Sequence, residues 1–167
     1  MRKPIAIVGS AVFFVAVPCV IAGLVPWWIT DWEFRPPFLG LRLTRVIGVV
    51  LILVGLPGLL DSFRRFAVDG LGTPAPVAPT RSLVVIGLYR YVRNPMYVAV
   101  LAIIVGQGLL FANEWLLVYG AAFLMVCHLF VVFHEEPVLR RDFGPAYEAY
   151  RQAVPRWLPR LRPWRRG

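Results

Sequence analysis

Charge is scarce in this chain, and negative charge scarcest of all. Charged residues fill 16% of the 167 positions and nine residues are acidic, against roughly 25% charged residues in a soluble domain. There are two cysteines and two histidines. Cys19 and Cys127 both fall inside apolar runs, where a thiol behaves as a small hydrophobe, so they support neither a disulfide framework nor a metal site. His134 has no partner but His128, six residues earlier in an apolar run, and no metal is expected. What is abundant is apolar: hydrophobic residues are 59% and mean hydropathy is +0.68. That composition belongs to an all-α integral membrane protein.

The net charge of +9 first suggests nucleic acid, but a DNA-binding face needs a soluble scaffold, and these arginines flank apolar runs. The expected partners are anionic membrane lipids, with no nucleic acid. An apolar run from Ile5 to Ile29 is too long for the roughly 7–15 apolar residues of a signal peptide and ends in Trp27-Trp28 without a small-residue cleavage site. It is read as a first span, kinked at Pro18, with Trp27, Trp28 and Trp32 in an interfacial belt. A second span is expected from Leu43 to Phe63, kinked at Pro57-Gly58. Asp61 near its inner end needs a partner, and Arg64 or Arg65 can supply one.

Residues 1–63 thus form two N-terminal transmembrane helices, and residues 64–167 form a second unit of strap, hairpin and tail. The Thr73–Pro79 stretch carries three prolines, which exclude regular helix and predict an extended strap. A third span over Pro95–Ala112 and a fourth over Trp115–Phe133 reach about 27–29 Å, just crossing a hydrocarbon core of about 30 Å. Asn113-Glu114 between them leaves room only for a tight turn, so the pair is an antiparallel C-terminal hairpin. Gly106 and Gly108, with Gly120, Ala121 and Ala122, are expected to let its arms approach closely. Pro137 is expected to open a helix with Glu135 and Glu136 at its positive end, and Gly144-Pro145 to break it. An arginine- and tryptophan-rich tail, Trp157 to Arg166, follows as an interfacial anchor. Arg35, Arg42 and Arg45 alone fall on one side, so the positive-inside rule predicts four spans in the inner membrane with both termini cytoplasmic. The 64–94 segment and the tail would form a cytoplasmic cap.

The hairpin carries two polar stretches to the same membrane surface. Before it stands Gly87-Leu88-Tyr89-Arg90-Tyr91-Val92-Arg93-Asn94-Pro95-Met96-Tyr97, and after it His134-Glu135-Glu136-Pro137. Arginines grip a carboxylate by paired hydrogen bonds, while carboxylates and aromatic faces favour a cation. Such a set suits either a zwitterion, a sulfonium amino acid among them, or a simple solvated membrane rim. Tyr147 and Tyr150, three apart on one helix face, belong either to this site or to packing.

The order Gly-x-Tyr-Arg-Tyr-x-Arg-Asn-Pro-x-Tyr at 87–97, two spans, Glu135-Glu136-x-x-Leu139, then Phe143-Gly144-x-x-Tyr147-x-x-Tyr150-x-x-x-Val154-Pro155-Arg156 resembles the isoprenylcysteine carboxyl methyltransferase and phospholipid methyltransferase superfamily. The resemblance implies an integral membrane enzyme that uses S-adenosylmethionine, releases S-adenosylhomocysteine and methylates an amphiphilic small molecule or lipid. It places the cofactor among Tyr89, Arg90, Asn94, Pro95, Tyr97, Glu135, Glu136 and Tyr147. Asn94 stands where the family carries histidine, keeping hydrogen bonding but losing titration. A carboxylate acceptor is already nucleophilic and needs alignment; an amine acceptor must lose a proton, for which Glu136 is the expected catalytic base. Arg93, Arg151 and Arg156 are candidates to steer an acidic or phosphate-bearing substrate. The alternative from another class is a non-catalytic lipid-binding or assembly subunit that kept the fold.

Overall fold

The computed structural model describes residues 17–68, 83 and 85–165. The Ile5-to-Ala16 part of the first apolar run, the Thr73–Pro79 strap and the terminal Arg166 lie outside the described residues. Among those residues there are helices and no strand. Arg42–Ser62 and Glu114–Ala153 are long and apolar enough to cross a membrane, and Val17–Thr30 and Pro95–Phe111 are shorter apolar helices.

Helix α1, Val17–Thr30, carries a π-helical stretch at Val20–Leu24 in which the Val25 N–H reaches back to the Val20 carbonyl. That wider turn and Pro26, which has no N–H, leave the carbonyls of Ile21 and Ala22 without their usual helical partners. The neighbouring helices supply them: Tyr119 donates its hydroxyl to the Ile21 oxygen at 3.0 Å, and the Gln107 amide donates to the Ala22 oxygen at 2.8 Å. Two polar side chains in otherwise apolar helices are thereby explained, because an unpaired carbonyl away from water is costly.

Helix α2, Arg42–Val68, is continuous through Pro57 and packs along α3, Pro95–Phe111. Glycine makes their approach possible. A Cβ on Gly48 would stand 2.6 Å from the Gly106 carbonyl oxygen, and one on Gly106 would stand 2.8 Å from that of Gly48. Gly106 therefore serves α2, not the hairpin partner expected from sequence. Gly108 and Gly120 do face across the hairpin, towards Leu117 and Val105 respectively, whereas Ala121 and Ala122 are exposed. Leu59, Ala99, Val100, Ile103 and Ile104 form the core between the helices. Near the C-terminal end of α2 Arg65 Nε donates to Asp61 at 2.8 Å, the pairing expected for that carboxylate.

The hairpin turn follows from two residues. Ala112 takes a left-handed conformation, φ 53°, and Asn113 caps α4, Glu114–Phe130, by accepting from the N–H groups of Trp115 and Leu116 at 3.0 and 3.4 Å. Nothing restarts at Pro137. Instead α4 runs through a π-helical turn, Val131–Glu135, into α5, Glu136–Ala153, so Glu135 and Glu136 stand within a continuous helix and not at a free N-terminus. The wide turn accommodates a proline whose ring would collide with the carbonyl of a tight α-turn. Gly144, φ 47° and ψ −123°, kinks α5 ahead of Pro145, as its sequence leads one to expect.

Candidate active site

Residues 87–94 reach the site through a short 3-10 turn, Gly87–Arg90. Gly87 has φ +54° and lies against the Arg65 guanidinium, where a Cβ would collide. Beyond the turn the Arg93 N–H donates to the Pro155 carbonyl at 2.9 Å, and the Asn94 carbonyl, just ahead of α3, accepts the Val98 N–H at 3.1 Å. The hairpin then returns the chain to this level, and the two polar stretches meet.

Arg93 is central. Its side chain is 9% exposed; Nη1 donates to Glu136 Oε1 at 2.9 Å and to the Tyr147 hydroxyl at 3.1 Å. Its Nε is buried with no hydrogen-bond partner. Glu136, 6% exposed at the side chain, also accepts two bonds from Arg156, Nε to Oε1 at 2.7 Å and Nη2 to Oε2 at 3.1 Å. Glu135 takes another direction and accepts the Tyr97 hydroxyl at 2.6 Å. Between them lies a small cleft of about 30 Å³ lined by Arg93, Asn94, Glu135, Glu136 and Tyr147, with Val131 among its apolar walls.

The twin carboxylates differ electrostatically. Burial would raise the Glu136 pKa, but the Arg156 hydrogen bonds and the charges of Arg93, Arg156 and Arg140 outweigh it and hold the carboxyl below the usual carboxylate range. Burial also raises Glu135, which lies past the end of α4; there the Tyr97 hydrogen bond and His134 oppose the rise without cancelling it, and the Glu136 charge adds to it. Glu136 is thus the fixed anion and Glu135 the carboxyl most ready to hold a proton. Burial likewise raises the Tyr147 phenol, which serves as a neutral acceptor to Arg93.

Other residues singled out from the sequence have different neighbours. Pro95 is buried as the first residue of α3. Tyr89 is buried outside the cleft, its carbonyl accepting the Tyr150 hydroxyl at 2.7 Å. Arg90 Nε donates to the Trp164 carbonyl at 2.7 Å and fastens the tail. Arg151 is turned to Glu148 at the rim and does not line the cleft. The Asn94 amide donates to the Arg156 carbonyl at 3.2 Å. Among the described residues no group of three histidine, cysteine or acidic side chains comes together to hold a metal. The paired grip of Arg156 on Glu136 had no local sequence signal, since the two are twenty residues apart and joined only by the fold.

The sequence model of the phospholipid methyltransferase family matches residues 43–146. The chain belongs to that family. No curated protein and no solved structure matches it. In this phospholipid methyltransferase family member the match runs from the first turn of α2 to just past the Gly144 kink, so it contains Arg93, Asn94, Tyr97 and both carboxylates. Tyr147, Tyr150 and the Arg156 arm lie beyond it, and contacts join them to the matched part.

Proposed function

We propose that this membrane methyltransferase family member transfers a methyl group from S-adenosylmethionine to an amphiphilic acceptor taken from the bilayer. The acceptor is either a carboxylate of the isoprenylcysteine kind or a lipid amine. The observation that carries the reading is the meeting of Arg93 and Tyr97 with Glu136 and Glu135 at one end of an apolar hairpin, at 2.9 and 2.6 Å. Four spans, cytoplasmic termini and a site at the inner leaflet complete the proposal, which the distribution of arginines supports.

The residues present fit the amino-acid end of that cofactor. The unpartnered, buried Arg93 Nε is a donor awaiting an anion, since a buried polar group left unpaired is costly. The cleft, about 30 Å³, is far smaller than ligand pockets of about 300–1,000 Å³ and has room for only a small polar group, so a cofactor would enter by opening it. Bound S-adenosylmethionine supplies an electrophilic methyl group on a sulfonium.

This chain's own residues then have separable tasks. Arg156 and Arg93 hold Glu136 ionised and fixed, which makes it a poor proton acceptor and a good anchor for Arg93. For an amine acceptor the base is therefore Glu135, whose raised pKa lies nearer to working pH. For a carboxylate acceptor alignment suffices. The apolar walls keep water from the reacting groups.

The test is binding of labelled S-adenosylmethionine to purified protein in lipid discs, followed by mass spectrometry of membrane extracts incubated with a deuteromethyl cofactor. Micromolar binding that is weakened in Arg93→Lys, which keeps a positive charge beside Glu136 but removes the unpartnered Nε donor, and a deuteromethylated amphiphile are expected. Absence of binding by folded protein overturns the reading and leaves the lipid-binding subunit. Methylation confined to fully water-soluble acceptors overturns the proposed substrate class.

A further inference from the structure

The strongest feature outside the cleft is the tail after α5. Between Glu148 and the last residue the sequence has no acidic side chain, and prolines recur at 155, 159 and 163, which keep the arm out of regular helix and leave it as a series of bends. Its backbone is pinned to the segment that leads into α3: Arg160 N–H donates to the Tyr91 carbonyl at 3.0 Å and Trp164 N–H to the Arg90 carbonyl at 2.9 Å.

This arm has two faces of opposite character. Inward, Arg156 grips Glu136, Trp157 Nε1 donates to His128 Nδ1 at 3.1 Å, and the Trp164 ring lies 5.7 Å from that of Tyr150. Outward, Leu158 is 78% and Leu161 99% exposed. Beside them Arg162 and Arg165 are exposed and make no salt bridge among the described residues.

We propose that the outward face of residues 158–165 is a docking surface for anionic lipid headgroups, with Leu158 and Leu161 inserted at the acyl boundary and Arg162 and Arg165 on the phosphates. Two observations choose the lipid surface over a protein partner. The arm lies against the segment that leads into α3 and, through Trp157, against Tyr97 of α3 and His128 of α4, so it stands at the rim of helices apolar enough for the bilayer. Its outward charge is also of one sign, complementary to anionic headgroups, and leucines between arginines form the pattern of an interfacial segment. The inner face gives the contact a consequence, since seating the arm also seats Arg156 on Glu136. The inference rests on the membrane reading of the chain and not on its cofactor.

The test uses the full chain in lipid discs with Cys19→Ser and Cys127→Ala, spin-labelled at Leu161→Cys and, separately, at Leu158→Cys. Relaxation by oxygen and by an aqueous nickel chelate reports depth. In discs containing phosphatidylglycerol both labels are expected to be oxygen-accessible and shielded from nickel. Phosphatidylcholine discs, or Arg162→Gln with Arg165→Gln, should reduce the ratio of seated to unseated arm by roughly fivefold per arginine. Neither Arg162 nor Arg165 lines the cleft, and a cooperative thermal unfolding transition of these variants in the discs checks folding without reference to the cofactor. Labels equally exposed to nickel in both disc types overturn the proposal. Labels equally buried in both overturn its charge selectivity.

Discussion

Replacing Arg156 by alanine tests the electrostatic core of the site. The wild-type side chain gives Glu136 two charge-assisted hydrogen bonds, at 2.7 and 3.1 Å, and the carboxylate is almost wholly buried. Removing one partner from a buried pair costs about 3–5 kcal/mol, but Arg93 remains at 2.9 Å, which brings the expected loss to about 2 kcal/mol. For a chain of this length that lowers the unfolding midpoint by about 4–8 °C, measurable by fluorescence in lipid discs. The pH dependence gives an independent readout. Because the folded-state pKa of Glu136 is held below its ordinary value, its contribution to stability is complete above that ordinary value and is lost as pH falls through the depressed one. Without Arg156 the folded pKa moves back up, the contribution shrinks, and acid unfolding starts at a higher pH. Arg156→Lys keeps the charge but not the paired geometry, and should recover about half of the loss. An unchanged midpoint together with an unchanged acid limb would show that Arg93 alone holds Glu136 and would refute the reasoning.

Three further perturbations address other parts of the molecule. Glu135→Gln keeps an acceptor for the Tyr97 hydroxyl, so stability should stay within about 1 kcal/mol while methylation of an amine acceptor falls by about 10²–10⁴; an unaffected rate would remove Glu135 from the chemistry. Burial raises the Glu135 pKa, so its stabilising contribution is complete below the ordinary carboxylate value and lost as pH rises through the folded value, whereas activity that needs its ionised form rises through the same interval. Tyr97→Phe removes the hydrogen bond that lowers that pKa and should move the acid limb of activity to higher pH; no movement in a pH–rate profile would count against the pair. Gly48→Val drives side-chain atoms into the Gly106 backbone and should cost about 1–3 kcal/mol, seen as a lower midpoint with the depressed Glu136 pKa intact.

Much of this arrangement is legible in the sequence because it depends on length and polarity. Two apolar runs joined by Asn113-Glu114 have one compact solution, and that solution fixes which polar stretches meet. Family order supplied the rest of that meeting. What sequence does not reveal is rotation about a helix axis. Gly106 faces α2 because α2 packs along α3, and no pattern in α3 announces which neighbour its glycines serve. The tail is a second case: Arg90, grouped by sequence with the site, is turned to Trp164, and Arg156 instead reaches the buried carboxylate. The π turn is a third, since Pro137 marks the start of an independent helix as readily as a wide turn inside a longer one.

That turn also accounts for the unequal carboxylates. Successive residues of a helix point roughly 100° apart, so Glu135 and Glu136 cannot share one set of partners, and the π turn at Val131–Glu135, which ends on the first of them, sets their rotation. Glu136 swings towards two guanidiniums, which keep it ionised; Glu135 swings beneath the Tyr97 hydroxyl, where burial favours its protonated form. Two carboxyl groups whose surroundings push their pKa values apart are suited to divide the labour of an acid–base site; under the proposed function Glu136, held low, is the anchor and Glu135, held high, is the readier to take up a proton. Exchanging their environments would exchange their roles, so assignment of the base rests on the turn and on the arm that delivers Arg156, and not on either glutamate's place in the motif.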